Sequence, residues 1–108
     1  MELTVSVVDA HTGRPAVALP VMVERQESDG WYVVAEGETD ERGLLRYKAI
    51  DGDLSIHRCV VNTERYFTAL GITSSYSDVV VTLRDINSSR SVSVFIAARS
   101  YLVYDTNA

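Results

Sequence analysis

The stretch Leu3-Thr4-Val5-Ser6-Val7-Val8-Asp9 puts Leu3, Val5 and Val7 on one side of an extended chain and Thr4, Ser6 and Val8 on the other. A period of two is that of a β-strand with unlike faces. Ala10-His11-Thr12-Gly13-Arg14-Pro15 ends it with residues that favour turns. Outward from this strand the pattern recurs. Leu19 to Glu24, Trp31 to Thr39, Leu44 to Lys48 and Leu54 to Val61 read as four further strands, separated by Ser28-Asp29-Gly30, Asp40-Glu41-Arg42-Gly43 and Asp51-Gly52-Asp53. Asp78 to Leu83, Ser91 to Ala98 and Tyr101 to Tyr104 complete the set, with Asp85-Ile86-Asn87-Ser88-Ser89 as the loop between the first two of these. Thr63 to Leu70 alone reads as a helix: Asn62 or Thr63 caps its start, Tyr66, Phe67 and Leu70 are its apolar positions, and Gly71 stops it. Eight short strands with one short helix predict an all-β fold, a two-sheet β-sandwich, with residues 1–108 as a single domain.

A chain of 108 residues is long enough to bury a core without disulfides or a metal. Its hydrophobic content of 46% against 23% charged residues is that of a compact chain and not a disordered one. The net charge of −5 repels nucleic acid and anionic membrane surfaces, so neither is an expected partner. No apolar run approaches the roughly 20 residues of a membrane-spanning helix. The one cysteine, Cys59, has no partner for an internal disulfide, and Met1-Glu2-Leu3 leads directly into a strand, so a cytoplasmic location is expected.

Four blocks in order carry a family resemblance: Leu3 to Asp9 with Gly13-Arg14-Pro15-Ala16; Ser28-Asp29-Gly30-Trp31 with Gly37-Glu38-Thr39-Asp40-Glu41-Arg42-Gly43; Tyr66-Phe67-Thr68-Ala69-Leu70-Gly71-Ile72; and Ser100-Tyr101-Leu102-Val103-Tyr104. Together they resemble the transthyretin and 5-hydroxyisourate hydrolase family over essentially the whole chain. The resemblance implies a transthyretin-like sandwich of two four-stranded sheets and a homotetramer, a dimer of dimers, whose central channel holds a small molecule. It also implies a choice of chemistry. Hydrolases of the family open 5-hydroxyisourate with two histidines, an arginine and a closing Tyr-Arg-Gly-Ser segment, while transthyretins bind thyroid hormone in the same channel.

Placed on this sequence, the two histidines fall on Ser6 and Ser91, the arginine on Leu44, and the closing segment on Tyr104-Asp105-Thr106-Asn107. Hydrolysis needs a base near neutral pH and a cation beside developing negative charge, and serine or leucine supplies neither. The lysine at the transthyretin channel mouth also falls on Ser6, and its acidic partner on Leu44.

Alternation in Ser91 to Ala98 sends Val92, Val94 and Ile96 to the core and Ser91, Ser93, Phe95 and Ala97 to the other face. That second face is small and mixed, unlike an ordinary solvent face. Ser6, Val8, Leu44, Ser91, Ser93, Phe95 and Leu102 are therefore the expected binding residues, lining a cavity suited to an uncharged or weakly polar organic molecule. Tyr104 and Asp105 are the candidates for proton transfer, Asp105 by a raised pKa beside apolar walls; the plainer reading of Asp105 is a solvated residue in a tail. His11 sits in a polar turn, and His57 with Cys59 shares one strand face, which is too few ligands for zinc, so no metal or cofactor is expected. Cys59 and Trp31 read as core residues, and Tyr66 with Phe67 as the packing of the helix on the sheet. Three functional classes fit: a non-catalytic binder, a repurposed enzyme for a cyclisation, rearrangement or hydrolysis, and a structural interaction module. Ordinary 5-hydroxyisourate hydrolysis in purine catabolism is the family alternative that the lost residues disfavour.

Overall fold

The computed structural model describes residues 2–50, 52–84, 86 and 89–107, of which Thr106 and Asn107 are described by backbone alone. The strands are β1 (Glu2–Asp9), β2 (Arg14–Pro15), β3 (Pro20–Glu27), β4 (Gly30–Glu38), β5 (Leu44–Lys48), β6 (His57–Val61), β7 (Val79–Leu83), β8 (Arg90–Ile96) and β9 (Tyr101–Asn107), with helix α1 (Thr63–Ala69) between β6 and β7. One sheet runs β2-β1-β8-β9, with β5 also paired to β1; the other runs β4-β3-β6-β7. β1 and β8 are parallel, and every other pair is antiparallel.

The period of two decides which side chains meet between the sheets. Leu3, Val5 and Val7 of β1 and Val92, Val94 and Ile96 of β8 pack against Val21, Val23, Cys59, Val61 and Val79 of the second sheet, all at most 1% exposed. Burying a side chain of this size contributes about 1.5–3 kcal/mol, so the register of each strand is strongly fixed. α1 closes one part of the core with buried Phe67, whose ring meets Tyr66 edge-on at 5.2 Å. Its cap is Asn62, which accepts the Arg65 N–H at 3.1 Å.

Several elements differ from the sequence reading. The sandwich has nine strands among the described residues, because Arg14–Pro15, read as a turn, adds two pairs to β1. β6 starts at His57 and not at Leu54: Asp53 Oδ1 accepts the Ser55 N–H at 2.9 Å and His57 Nδ1–H donates to the Ser55 carbonyl at 3.0 Å, so Ser55 bonds locally and leaves the ladder. β9 runs three residues past Tyr104, because β8 starts at Arg90 and pairs with it up to Asn107. Trp31 is half-buried outside the core cluster, with the Arg58 guanidinium 4.1 Å above its ring. In the loop expected at Asp85 to Ser89, Asp85, Asn87 and Ser88 lie outside the described residues, as do Met1 and Asp51.

Candidate functional site

The side of the first sheet that faces away from the core gathers most of the expected site. Cross-strand partners share a face, and the pairing gives two adjacent rows. Leu44 pairs with Ser6, Ser6 with Ser93 and Ser93 with Tyr104. In the next row Val8 pairs with Phe95 and Phe95 with Leu102. A third row, on the other flank of the first, pairs Arg46 with Thr4 and Thr4 with Ser91. The face therefore passes from apolar through hydroxylic to partly charged. Its sides are open: Leu102 and Tyr104 are each 53% exposed.

Local chemistry sets each row. Asp40 Oδ1 accepts the N–H groups of Arg42 at 2.8 Å and Leu44 at 3.0 Å, and these bonds hold the Asp40 carboxyl below its usual range. That turn returns the chain onto β1 and delivers Leu44 beside Ser6. Gly43 is required within it, since it has φ +76° and an added Cβ would lie 2.5 Å from the Val7 carbonyl oxygen. At the far end of β1, buried Asp9 accepts the His11 N–H and the Tyr66 hydroxyl, each at 2.9 Å. Burial first, and then Asp9, push the Tyr66 phenol up to about 12.

The turn from β8 to β9 is pinned in a similar way. The Tyr76 hydroxyl shares its hydrogen between the carbonyls of Ala97 at 2.7 Å and Ser100 at 3.0 Å, and its ring lies 5.2 Å from that of Tyr101. Beside this turn a depression of about 400 Å³ is lined by Ala10, Phe95, Ala97, Leu102 and Tyr104 among others. Phe95 and Tyr104 meet there edge-to-face, with ring centres 5.7 Å apart.

Asp105 does not join Tyr104. It pairs with buried Val92, so alternation turns its side chain to the opposite face of β9. There Arg90 Nε donates to Asp105 Oδ1 at 3.2 Å, and a second guanidinium nitrogen pairs with Oδ2. The expectation of an acid at the cavity beside Tyr104 is thus corrected: adjacent residues in one strand point apart, and Asp105 is a paired counter-ion. It is solvent-exposed, as the plainer reading has it, but it lies within a strand and not in a tail, because β9 continues through it. Two residues of the face were passed over in the sequence reading, Thr4 and Arg46. Thr4 was visible in the alternation of β1, whereas Arg46 needed the β1–β5 register.

The two histidines do not meet. His57 is fully buried and donates from Nδ1 to a carbonyl, which leaves Nε2 without a hydrogen-bond partner and 3.8 Å from Asp53 Oδ2. Among the described residues no group of three or more His, Cys, Asp or Glu side chains could hold a metal ion. Burial pushes the Cys59 thiol up to about 11, which is the setting of an inert core thiol.

Residues 3–105 match the HIUase/Transthyretin family. The chain belongs to that family. It is 35% identical to transthyretin of Aquarana catesbeiana over 88 residues, which cover 77% of this chain and 58% of that protein. To 5-hydroxyisourate hydrolase of Salmonella dublin it is 27% identical over 84 residues, 73% of this chain and 60% of that one. The match thus spans under two thirds of these relatives' own length. In fold it is similar to sea bream transthyretin in complex with thyroxine, with a TM-score of 0.88 at 23% identity, covering 98% of this chain and 95% of that one. Members of one family thus carry the name of a transthyretin or of a hydrolase, so membership of the family does not by itself decide function.

Proposed function

We propose that the outward face of the first sheet binds a small, uncharged or weakly polar organic molecule between copies of the chain assembled as a homotetramer, a dimer of dimers. The observation that carries this reading is the pair of rows Leu44-Ser6-Ser93-Tyr104 and Val8-Phe95-Leu102, which are apolar and hydroxylic without an imidazole or a guanidinium. Hydroxyls donate and accept, so they orient a ligand's carbonyl or hydroxyl, while Phe95 and Leu102 exclude water around its apolar part. Thyroxine on the sea bream relative supports a small-molecule role for the scaffold.

The same face suits a repurposed enzyme in which orientation supplies most of the rate, as in a cyclisation or rearrangement. Tyr104 is the group on it able to lend a proton, with Ser6 and Ser93 in its row. Hydrolysis of 5-hydroxyisourate is disfavoured, since Ser6, Leu44 and Ser91 stand where the family's hydrolytic residues are expected. A cytoplasmic location accords with the lone, buried thiol.

Titration with the neutral fluorophore N-phenyl-1-naphthylamine tests the binding reading. Saturable enhancement is expected, and its absence would remove small-molecule binding from the account. In a parallel assay, decay of 5-hydroxyisourate at a rate within about tenfold of a family hydrolase would overturn the argument from the lost residues.

A further inference from the structure

We propose that His57 and Asp53 form a latch on the loop between β5 and β6, residues 49–56, which tightens when the imidazole takes up a proton at Nε2. His57 points into the sandwich with Cys59 and Val61 of β6, so the latch lies apart from the outward face of the first sheet. Its loop carries the chain from one sheet to the other, since β5 pairs with β1 and β6 with β3. Ile50 and Leu54 stand exposed on it.

Geometry fixes the tautomer. The Ser55 carbonyl can only accept, so the ring nitrogen 3.0 Å from it, Nδ1, carries the hydrogen. In the neutral ring Nε2 is then a bare acceptor, and at 3.8 Å it faces another acceptor, Asp53 Oδ2. Among the described residues this Nε2 is the buried side-chain polar atom left without a hydrogen-bond partner. A buried acceptor with no donor is costly. One proton on Nε2 turns the mismatch into a charge-assisted hydrogen bond, once the gap shortens by about 1 Å to an ordinary length. Both N–H groups of the imidazolium then have an acceptor, which is what a buried charge requires.

The surrounding groups leave that role to Asp53. Its Oδ2 lies 3.5 Å from the Arg25 guanidinium, the far limit of a hydrogen bond, because Arg25 makes its shorter contacts, at 2.7 and 3.1 Å, with Glu27. Arg25 is also the cross-strand partner of His57, so Glu27 offsets the nearest positive charge. From β5 the Tyr47 ring approaches to 6.0 Å between centres, its phenol pushed up by burial. Cys59, on the same inward face, has its thiol pushed up to about 11, so both groups stay neutral near pH 7. The partner on β7 is apolar Leu83. Next to it the Arg84 carbonyl accepts from Arg90 of β8, which is paired with Asp105 of β9. Each arginine thus has a carboxylate besides Asp53.

Closing the latch acts on the loop backbone as well. The Asp53 N–H donates to the Ile50 carbonyl at 3.1 Å, and Ser55 is held at its N–H by Asp53 and at its carbonyl by His57. A bond from Nε2 to Asp53 joins these contacts into one ring, in which each supports the others.

Hydrogen exchange of the purified protein tests the latch. Protection of the Asp53 and Ser55 N–H groups, corrected for the intrinsic pH dependence of exchange, should rise at least about fivefold as pH falls from about 8 to about 5.5. Asp53 itself stays ionised over that range, since hydrogen bonds from Ser55 hold its carboxyl below the usual values. The turn at Asp40 is the internal control: its carboxylate accepts the Leu44 N–H in the same manner but has Arg42 and Arg46 as charged neighbours, so Leu44 protection should stay within about twofold. Nitrogen-15 NMR of the ring should show hydrogen on Nδ1 throughout and on Nε2 at the lower pH alone. Asp53→Asn, which can still accept the Ser55 N–H, should hold Ser55 protection flat, as should His57→Gln; the former carries the test where the latter fails to fold. A purely structural contact would lower Tm in Asp53→Asn and leave the pH profile of protection as in the parent. Flat protection in the parent, an equal rise in Asp53→Asn, or an Nε2 whose protonation does not change across the range would each overturn the proposal.

Discussion

The outward faces of the two sheets solve the same problem in opposite ways. On the second sheet, Glu24 pairs across the strands with Arg58, their charges meet at 2.7 Å, and the same guanidinium covers Trp31 at 4.1 Å. These polar groups are thus engaged within the chain. On the first sheet the hydroxyls of Ser6, Ser93 and Tyr104 have no hydrogen-bond partner among the described residues, and they stand beside Val8, Phe95 and Leu102. A face that leaves its hydrogen-bonding capacity open next to apolar surface is prepared for something other than solvent. The difference teaches where to look for function on a scaffold whose core is the same under both faces.

Placing a charge on each face should break the symmetry most sharply. Phe95→Asp is expected to dissociate the assembly and to weaken N-phenyl-1-naphthylamine binding by at least about 30-fold, since a carboxylate would have to be desolvated in the covered surface. Val33→Asp, at a position 49% exposed on the second sheet, should change neither mass nor affinity. Equal effects from the two variants in light scattering and titration would erase the contrast between the faces.

Hydroxyls sharpen it at a smaller scale. Thr39 is buried, accepts the Leu19 N–H at 3.0 Å and donates to the Ala16 carbonyl at 2.6 Å. Thr39→Ala should cost about 1–3 kcal/mol in urea denaturation. Ser93→Ala should stay within about 0.5 kcal/mol of the parent in the same experiment. A large loss of stability in Ser93→Ala would mean that this hydroxyl serves the fold and is not reserved for a ligand.

The smallest effect concerns pH. The Asp53 carboxyl is held below its usual range by hydrogen bonds from Ser55, with His57 and the Arg25 guanidinium adding to the shift. A depressed folded-state pKa contributes stability above the unfolded value of about 3.9 and loses it as pH falls through the folded value. Asp53→Asn should therefore lower Tm at pH 7, and the gap to the parent should close as pH falls below about 4. A gap that persists unchanged in acid would show that the charge of Asp53 is not what matters. Ser93→Ala, with no ionised group altered, should show no such dependence.

Much of this contrast was legible in the sequence. Alternation in Leu3 to Asp9 and in Ser91 to Ala98 separated core from outward residues correctly, because one misplaced side chain in so thin a sandwich would bury a serine or expose a valine. The helix at Thr63 and its Asn62 cap were equally readable, since capping is local chemistry. What escaped was non-local. Joining Asp105 to Tyr104 treated neighbours in sequence as neighbours in space, and only the pairing with β8 shows that they point apart. Trp31 looked like core because of its size, yet Arg58, 27 positions away, gives it a surface role. Ser55 left β6 for want of a partner, its backbone groups having been claimed by Asp53 and His57.

The claim beneath all of these is that the outward face of the first sheet is covered by further copies of the chain. Light scattering of the purified protein at micromolar concentration tests it most directly. The account predicts a mass about four times the 11.9 kDa of one chain, and a clean monomer at that concentration would contradict it.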